Sequence, residues 1–286
     1  MKKDFTLSAL ASDAADSPPN PYFSIFILTL ATFMATLDTT ITNVALPKMA
    51  GDLSVTPSEL VWVIGAYLVA TAAVLPISGW LATYFGRKRY YMISVAVFTL
   101  SSVLCGLATN LESLIFFRII QGLGGGGLAT SEQAIIADIM PAEKLGRAFS
   151  IYALGIAAAP VFGPTLGGFI TDTWSWHWVF FINLPIGIIS LVLSWLFVYE
   201  TEQSKAARVK FFREGKTIDW PGILLFVGGI AALVVVLQQG PKEGWFESDF
   251  ILLLTMGAFF AILIGIVWEY YQEKPAVDIM MFKNRS

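Results

Sequence analysis

Two side chains of opposite charge lie inside apolar stretches long enough to cross a bilayer. Asp38 sits in the run Leu37-Asp38-Thr39-Thr40-Ile41-Thr42-Asn43, and Arg118 in the run Phe116-Phe117-Arg118-Ile119-Ile120-Gln121. Ionisable groups at that depth are costly and need a partner or a water-filled path. If the first stretch runs outward and the fourth runs back inward, both residues sit roughly 10–14 Å below the outer end of their helices, at 1.5 Å per residue. Matching depth permits a direct pair or a water bridge. Taking the guanidinium away would leave a carboxylate without its counter-charge, which a proton would neutralise. That is a route to proton coupling. A static ion pair that fixes helix packing uses the same residues.

Glu132 lies 14 residues beyond Arg118, close to four helical turns, so the two share a face, and Gln121 lies on it one turn from Arg118. Such a stripe could line a polar pathway. Alternatively, Glu132 reaches the interface or pairs with a nearby cation.

These residues need helices to position them. Of the 286 residues, 56% are hydrophobic and only 14% are charged, against about 25% charged in a typical soluble domain. Eight spans can be read, over 22–46, 58–82, 90–108, 111–137, 145–170, 178–198, 220–239 and 250–271. Each is near the ~20 residues needed to cross the hydrocarbon core. Pro47, Gly51-Asp52, Pro57, Gly86, Asn110, Pro141 and Pro241 mark the breaks. Runs of this length in lipid are helical, because every backbone group must be satisfied internally. Of the 18 Lys and Arg, Arg118 falls within a span and only Lys48 and Lys242 fall in outer loops, if both termini are cytoplasmic; the other fifteen lie inside.

The expected organisation is a disordered cytoplasmic tail over 1–21, a six-helix bundle over 22–199 and a charged cytoplasmic linker over 200–218. An extra helix pair over 219–272 and a cytoplasmic stretch over 273–286 follow. The apolar run 5–11 is too short and broken for a signal peptide. Trp174, Trp176 and Trp178 around His177 read as interfacial anchors.

Composition excludes several chemistries. No basic patch suggests nucleic acid. One Cys and one His leave no cluster of soft or imidazole metal ligands, and no nucleophile–base pair suggests an enzyme. Gly122 and the run Gly124–Gly127 are not a phosphate loop, since no Lys-Ser/Thr follows; in a bilayer they permit close helix contact. In the fifth span, Gly155, Pro160, Gly163, Pro164, Gly167 and Gly168 combine small faces with two missing donors. That suits either a helix that rocks or tight static packing.

Together these segments resemble the major facilitator superfamily. Residues 79–89, with Gly79, Gly86, Arg87 and Lys88, look like its loop signature between helices two and three. Arg118-Ile-Ile-Gln121-Gly122 looks like its fourth-helix Arg motif, and 155–168 like its antiporter motif. Residues 37–47, 180–187 and Asp219-Trp220-Pro221-Gly222 are closer still to the fourteen-helix drug:proton antiporters of the EmrB/QacA type.

The resemblance implies export of amphipathic small molecules in exchange for protons, with the proton gradient as energy source and no cofactor. It implies coupling by Asp38 and Arg118. It also implies helix bending and leak control by Gly163, Pro164, Gly167 and Gly168, and cytoplasmic gating by Gly79, Gly86 and Arg87. Thr83 stands where the loop signature has Asp, so a charge relay through that Asp is absent.

The implied location is the inner (plasma) membrane. Family members continue into a second bundle, so the implied partners are a missing C-terminal half and, outside the membrane, a periplasmic membrane-fusion protein. An exporter of one specific solute and a half-size membrane scaffold are the alternatives.

Overall fold

The computed structural model describes residues 20–213 and 219–272. The tail over 1–19, the linker residues 214–218 and the stretch 273–286 lie outside the described residues. Among the described residues are ten α-helices: α1 (Pro21–Leu53), α2 (Pro57–Phe85), α3 (Arg87–Gly106), α4 (Leu111–Ile139), α5 (Leu145–Thr173), α6 (Trp178–Phe181), α7 (Asn183–Phe197), α8 (Glu202–Arg213), α9 (Trp220–Gln239) and α10 (Asp249–Tyr271). The described residues contain no strand.

Helix starts follow local chemistry. Asn20 and Asn110 accept from the backbone N–H groups of Tyr22 (3.0 Å) and Ser113 (2.8 Å). Thr56 and Glu59 form a reciprocal capping box, and Asp219 accepts from Gly222 N–H at 3.1 Å. Each cap satisfies a donor that the first turn leaves free.

Among the described residues, seven helical segments are both long and apolar enough to span a membrane, with α6 and α7 counted as one. The remaining expected span, α4, is long enough at 29 residues but carries Glu112, Arg118, Glu132 and Asp138. Its place is set by packing: it lies between α2 and α3 and touches α1.

Glycines make that approach possible. A Cβ at Gly122 would stand 2.5 Å from the Tyr67 carbonyl oxygen of α2, and one at Gly126 would stand 2.6 Å from that of Thr71. On another face, a Cβ at Gly124 would meet the Phe98 nitrogen of α3 at 2.7 Å. Backbones this close are the usual use of small residues between membrane helices.

Buried apolar residues form two cores. One gathers Ile25 to Ala35 of α1 with the start of α3 and α5 and the end of α4, at the end of the bundle that carries the basic loop. The other gathers Leu37 to Met49 with Val63, Leu114 and Phe180 at the opposite end. Large apolar side chains such as Leu100, Leu154 and Leu253 are exposed around the outside, as they would be in contact with lipid. This is a multi-pass membrane protein. Helices α9 and α10 form a hairpin packed against α2.

Four expectations are corrected. First, α1 does not end near Pro47 but runs through it and Gly51 to Leu53, where Ser54 in the left-handed region closes it. A proline costs one helical donor, and the bonds resume beyond it. Second, the sixth span is two helices, broken at Ile182. Pro185 has no N–H to offer the Phe181 carbonyl four residues back. Third, the expected linker contains α8, whose Phe211 packs edge-on to Trp80 and Tyr84 at the end of α2. Fourth, Trp176 is no interfacial anchor. It is buried in the second core and stacks on the half-buried His177 at 3.7 Å. Burial lowers the affinity of His177 for a proton, and Asp52 opposes that shift.

We expect Gly124→Ala to destabilise the chain by about 1–3 kcal/mol through overpacking, read as a lower melting temperature in detergent. Gly79→Ala, at a position with nothing within 4 Å, should leave it unchanged. Equal melting temperatures for the two variants would contradict this packing.

Candidate functional site

Asp38 of α1 and Arg118 of α4 meet in the second core, at the end of the bundle away from the basic loop. Arg118 Nη1 donates to Asp38 Oδ2 at 2.6 Å, and both side chains are fully buried. Arg118 comes from seven residues into α4, whereas Asp38 is fifteen residues before the end of α1, because α1 continues past the expected boundary.

The pair is held by neighbours on four other sides. Gln121, one turn from Arg118, accepts from Nη1 at 2.9 Å and donates through Nε2 to Asp38 Oδ1 at 3.0 Å. Arg118 Nε donates to the Val63 carbonyl of α2 at 3.1 Å. The rings of Tyr67 and Phe180 lie 4.6 and 5.6 Å from the guanidinium carbon. Asn183, the first residue of α7, donates through Nδ2 to Asp38 Oδ1 at 2.7 Å and to Ser102 Oγ of α3 at 2.9 Å. Ser102 in turn donates to the Phe180 carbonyl at 2.9 Å, and Cys105 Sγ–H approaches Gln121 Oε1 at 3.5 Å. Two buried atoms of the cluster, Arg118 Nη2 and Asn183 Oδ1, have no hydrogen-bond partner among the described residues.

Sequence reasoning named Asp38, Arg118 and Gln121 but gave Asn183 no role. A lone amide two residues before a proline in an apolar span was the available signal.

Glu132 lies elsewhere. It is fully buried at the other core, about 21 Å along α4 from Arg118 at 1.5 Å per residue. Its Oε2 accepts a short hydrogen bond from Thr32, whose hydroxyl also faces that of Tyr152 at 3.5 Å. Glu132 neither reaches the surface nor forms an ion pair with a described cation. The expected stripe is therefore divided: Gln121 belongs to the ion pair and Glu132 to a separate cluster.

The fifth-span residues face α1. Gly155 abuts Thr29, Gly163 abuts Thr40, and Gly167 lies against Ile41 and Val44. Pro160 and Pro164 are exposed on the far side of a continuous α5, and nothing lies within 4 Å of a Cβ placed at Gly168.

At the basic end, Gly86 (φ 89°) turns the chain from α2 into α3. Arg87 binds Asp138 at 2.5 Å and the Ala134 carbonyl at 3.0 Å, both at the end of α4. Lys88 donates to the Trp195 carbonyl at 2.9 Å. Thr83 only bonds back to Gly79 of its own helix. The acid that binds Arg87 of the loop is thus Asp138, which sequence reasoning did not single out. Among the described residues, no three His, Cys, Asp or Glu side chains converge as metal ligands would.

A family model described as Major Facilitator Superfamily matches residues 28–282. The chain is 39% identical over 281 residues to the multidrug export protein EmrB of Haemophilus influenzae, covering 97% of this chain and 54% of that protein. It is 39% identical over 259 residues to EmrB of Escherichia coli K12, covering 91% and 49%. The fatty acid resistance protein FarB of Neisseria gonorrhoeae is also 39% identical over 259 residues, covering 91% and 50%. The chain thus spans about half the length of the curated relatives it matches. Among solved structures, the inward-open xylose transporter XylE from E. coli superposes with a TM-score of 0.59 at 16% identity, covering 90% of this chain and 71% of that one; this is a likeness of fold.

Replacing Arg118 with Leu strands the Asp38 carboxylate and should cost about 3–5 kcal/mol of stability. The double variant Asp38→Leu/Arg118→Leu should recover much of that loss in thermal unfolding. A double variant as unstable as the single one would mean that charge pairing does not set the penalty.

Proposed function

This chain belongs to the major facilitator superfamily, and we propose that it serves proton-coupled multidrug export across the plasma membrane, as part of a transporter about twice its length. The observation that carries this reading is the fully buried Asp38–Arg118 pair, closed by Gln121 and Asn183. A carboxylate so placed is stable only while the guanidinium stays beside it. When the helices shift and the pair opens, a proton from water takes over the neutralising role. Proton uptake and helix movement then become one event. Between the two bundles of a complete transporter, that event is tied to passage of the cargo.

The remaining motif residues fit supporting roles. Gly155, Gly163 and Gly167 let α5 slide on α1, and Pro160, Pro164 and Gly168 lie on its outward side, where a second bundle would pack. Gly79, Gly86, Arg87 and Lys88 close the cytoplasmic side, with Asp138 as the acid that holds Arg87. Glu132 lines a polar pathway separate from the ion pair. The cargo is an amphipathic small molecule, a class supported by relatives named for multidrug export and for fatty acid resistance. In this reading the termini are cytoplasmic, the energy source is the proton gradient, and a second half and a periplasmic membrane-fusion protein complete the machine.

The test uses a complete transporter containing this chain, expressed in cells lacking their own efflux pumps. Asp38→Asn should reduce proton-driven export to the level of cells without the transporter, with the protein still in the membrane. Arg118→Ala should change the pH dependence of whatever export remains. Unchanged export in the first variant removes Asp38 from the mechanism, and an identical pH profile in the second uncouples the two residues.

A further inference from the structure

The break between α6 and α7 touches both members of the ion pair. The Phe180 ring lies over Arg118, and three residues later Asn183 donates to Asp38. The same break is tied to α3 through Ser102, which accepts from Asn183 and donates to the Phe180 carbonyl. One segment of five residues, 180–184, therefore receives the acid, the base and a neighbouring helix.

We propose that the side-chain amide of Asn183 reads the protonation state of Asp38 and passes it to the break in the sixth span. The inference rests on the exporter reading above and names a transmitting element within it.

The argument is one of donors and acceptors. An ionised Asp38 can only accept, so it takes the Nδ2–H of Asn183, as observed. A protonated Asp38 carries an O–H on one oxygen and needs an acceptor. Gln121 Oε1 already accepts from Arg118 and lies near Cys105. Asn183 Oδ1 is fully buried and has no partner among the described residues. Rotation of the amide by half a turn brings Oδ1 to the position of Nδ2, where it accepts from Asp38.

Ser102 then faces an oxygen instead of an N–H. Its hydroxyl turns from the Phe180 carbonyl to Asn183 Oδ1. The Phe180 carbonyl, at a break where Pro185 already withholds a donor from Phe181, loses its tie to α3. One proton enters from water and no covalent bond other than the new O–H forms; the bonds from Asn183 to Asp38, from Asn183 to Ser102 and from Ser102 to Phe180 give way to two, from Asp38 and Ser102 to Asn183 Oδ1, and the turned Nδ2 takes the place where Oδ1 had no partner. The other ionisable groups facing Asp38 are Arg118 from α4, Tyr67 from α2 and Cys105 from α3. Arg118 has no acceptor, and the phenol of Tyr67 and the thiol of Cys105 are weaker acceptors than an amide oxygen.

Asn183 is a positioning residue in this account, and its test reads the amide directly. The chain is labelled with 15N-asparagine, placed in lipid nanodiscs and titrated with acid. One side-chain amide resonance, identified by its loss in Asn183→Leu, should move as the carboxylic acid band of Asp38 grows in the infrared spectrum. That resonance should stay fixed in Asp38→Asn. Asn183→Gln supplies the resonance assignment where the Leu variant does not fold.

An amide that stays fixed while Asp38 takes its proton overturns the relay and leaves the coupling role of Asp38 intact. So does an amide that titrates identically in Asp38→Asn. Failure of Asp38 to take a proton at all overturns both.

Discussion

A carboxylate and a guanidinium placed in a medium of low dielectric each carry a large desolvation penalty, and only mutual contact with further hydrogen bonds offsets it. Asp38 and Arg118 meet that condition through Gln121, Asn183, the Val63 carbonyl and the faces of Tyr67 and Phe180. Much of the architecture can be traced to this requirement. Helix α4 is too polar to face lipid, so it sits among α1, α2 and α3. It can sit there because Gly122, Gly124 and Gly126 remove the side chains that would keep the backbones apart. The sixth span breaks where an amide must reach the carboxylate, and the break is made by Pro185.

The two ends of the bundle answer different needs. The second core, away from the basic loop, encloses the ion pair. The first core, near the basic loop, encloses Glu132, whose carboxyl is met by the Thr32 hydroxyl of α1, itself faced by Tyr152 of α5, instead of by a cation. Below it, Arg87 clasps the end of α4 through Asp138 and Ala134, where the exposed carbonyls of a helix terminus favour a positive charge. Helix α4 therefore carries three charged contacts in series, and its displacement along or about its axis would disturb all three.

Much of this was legible in the sequence, and for a common reason. Charges in apolar runs are rare because they are costly, so Asp38 and Arg118 stood out, and their depths matched well enough to suggest a pair. The small residues of α4 and α5 announced close packing for the same reason of steric cost. What was hidden depended on three-dimensional direction. Asn183 reaches Asp38 only because the sixth span is interrupted, and a continuous helical reading gave no hint of that. Asp138 stood one residue past the expected end of its span, so its contact with the loop after α2 could not be seen. Pro47 read as a stop because a proline removes a donor, yet one missing bond near the end of a long helix does not terminate it. Trp176 read as an anchor by its neighbours, whereas the turn into α6 directs it inward. Helix α8 was hidden in a charged stretch whose apolar anchors are Phe211 and Phe212, both against Tyr84.

The central claim is that this pair is closed when Asp38 is ionised and open when it is protonated. Solid-state NMR of the membrane-embedded chain, labelled with 13C on aspartate and 15N on arginine side chains, measures it directly. At neutral pH a strong dipolar coupling between Asp38 Cγ and an Arg118 Nη should report the contact seen at 2.6 Å between Nη1 and Oδ2, and on acidification it should fade as the carboxyl signal moves to its protonated position. A coupling that persists unchanged after Asp38 has taken up its proton would contradict the account.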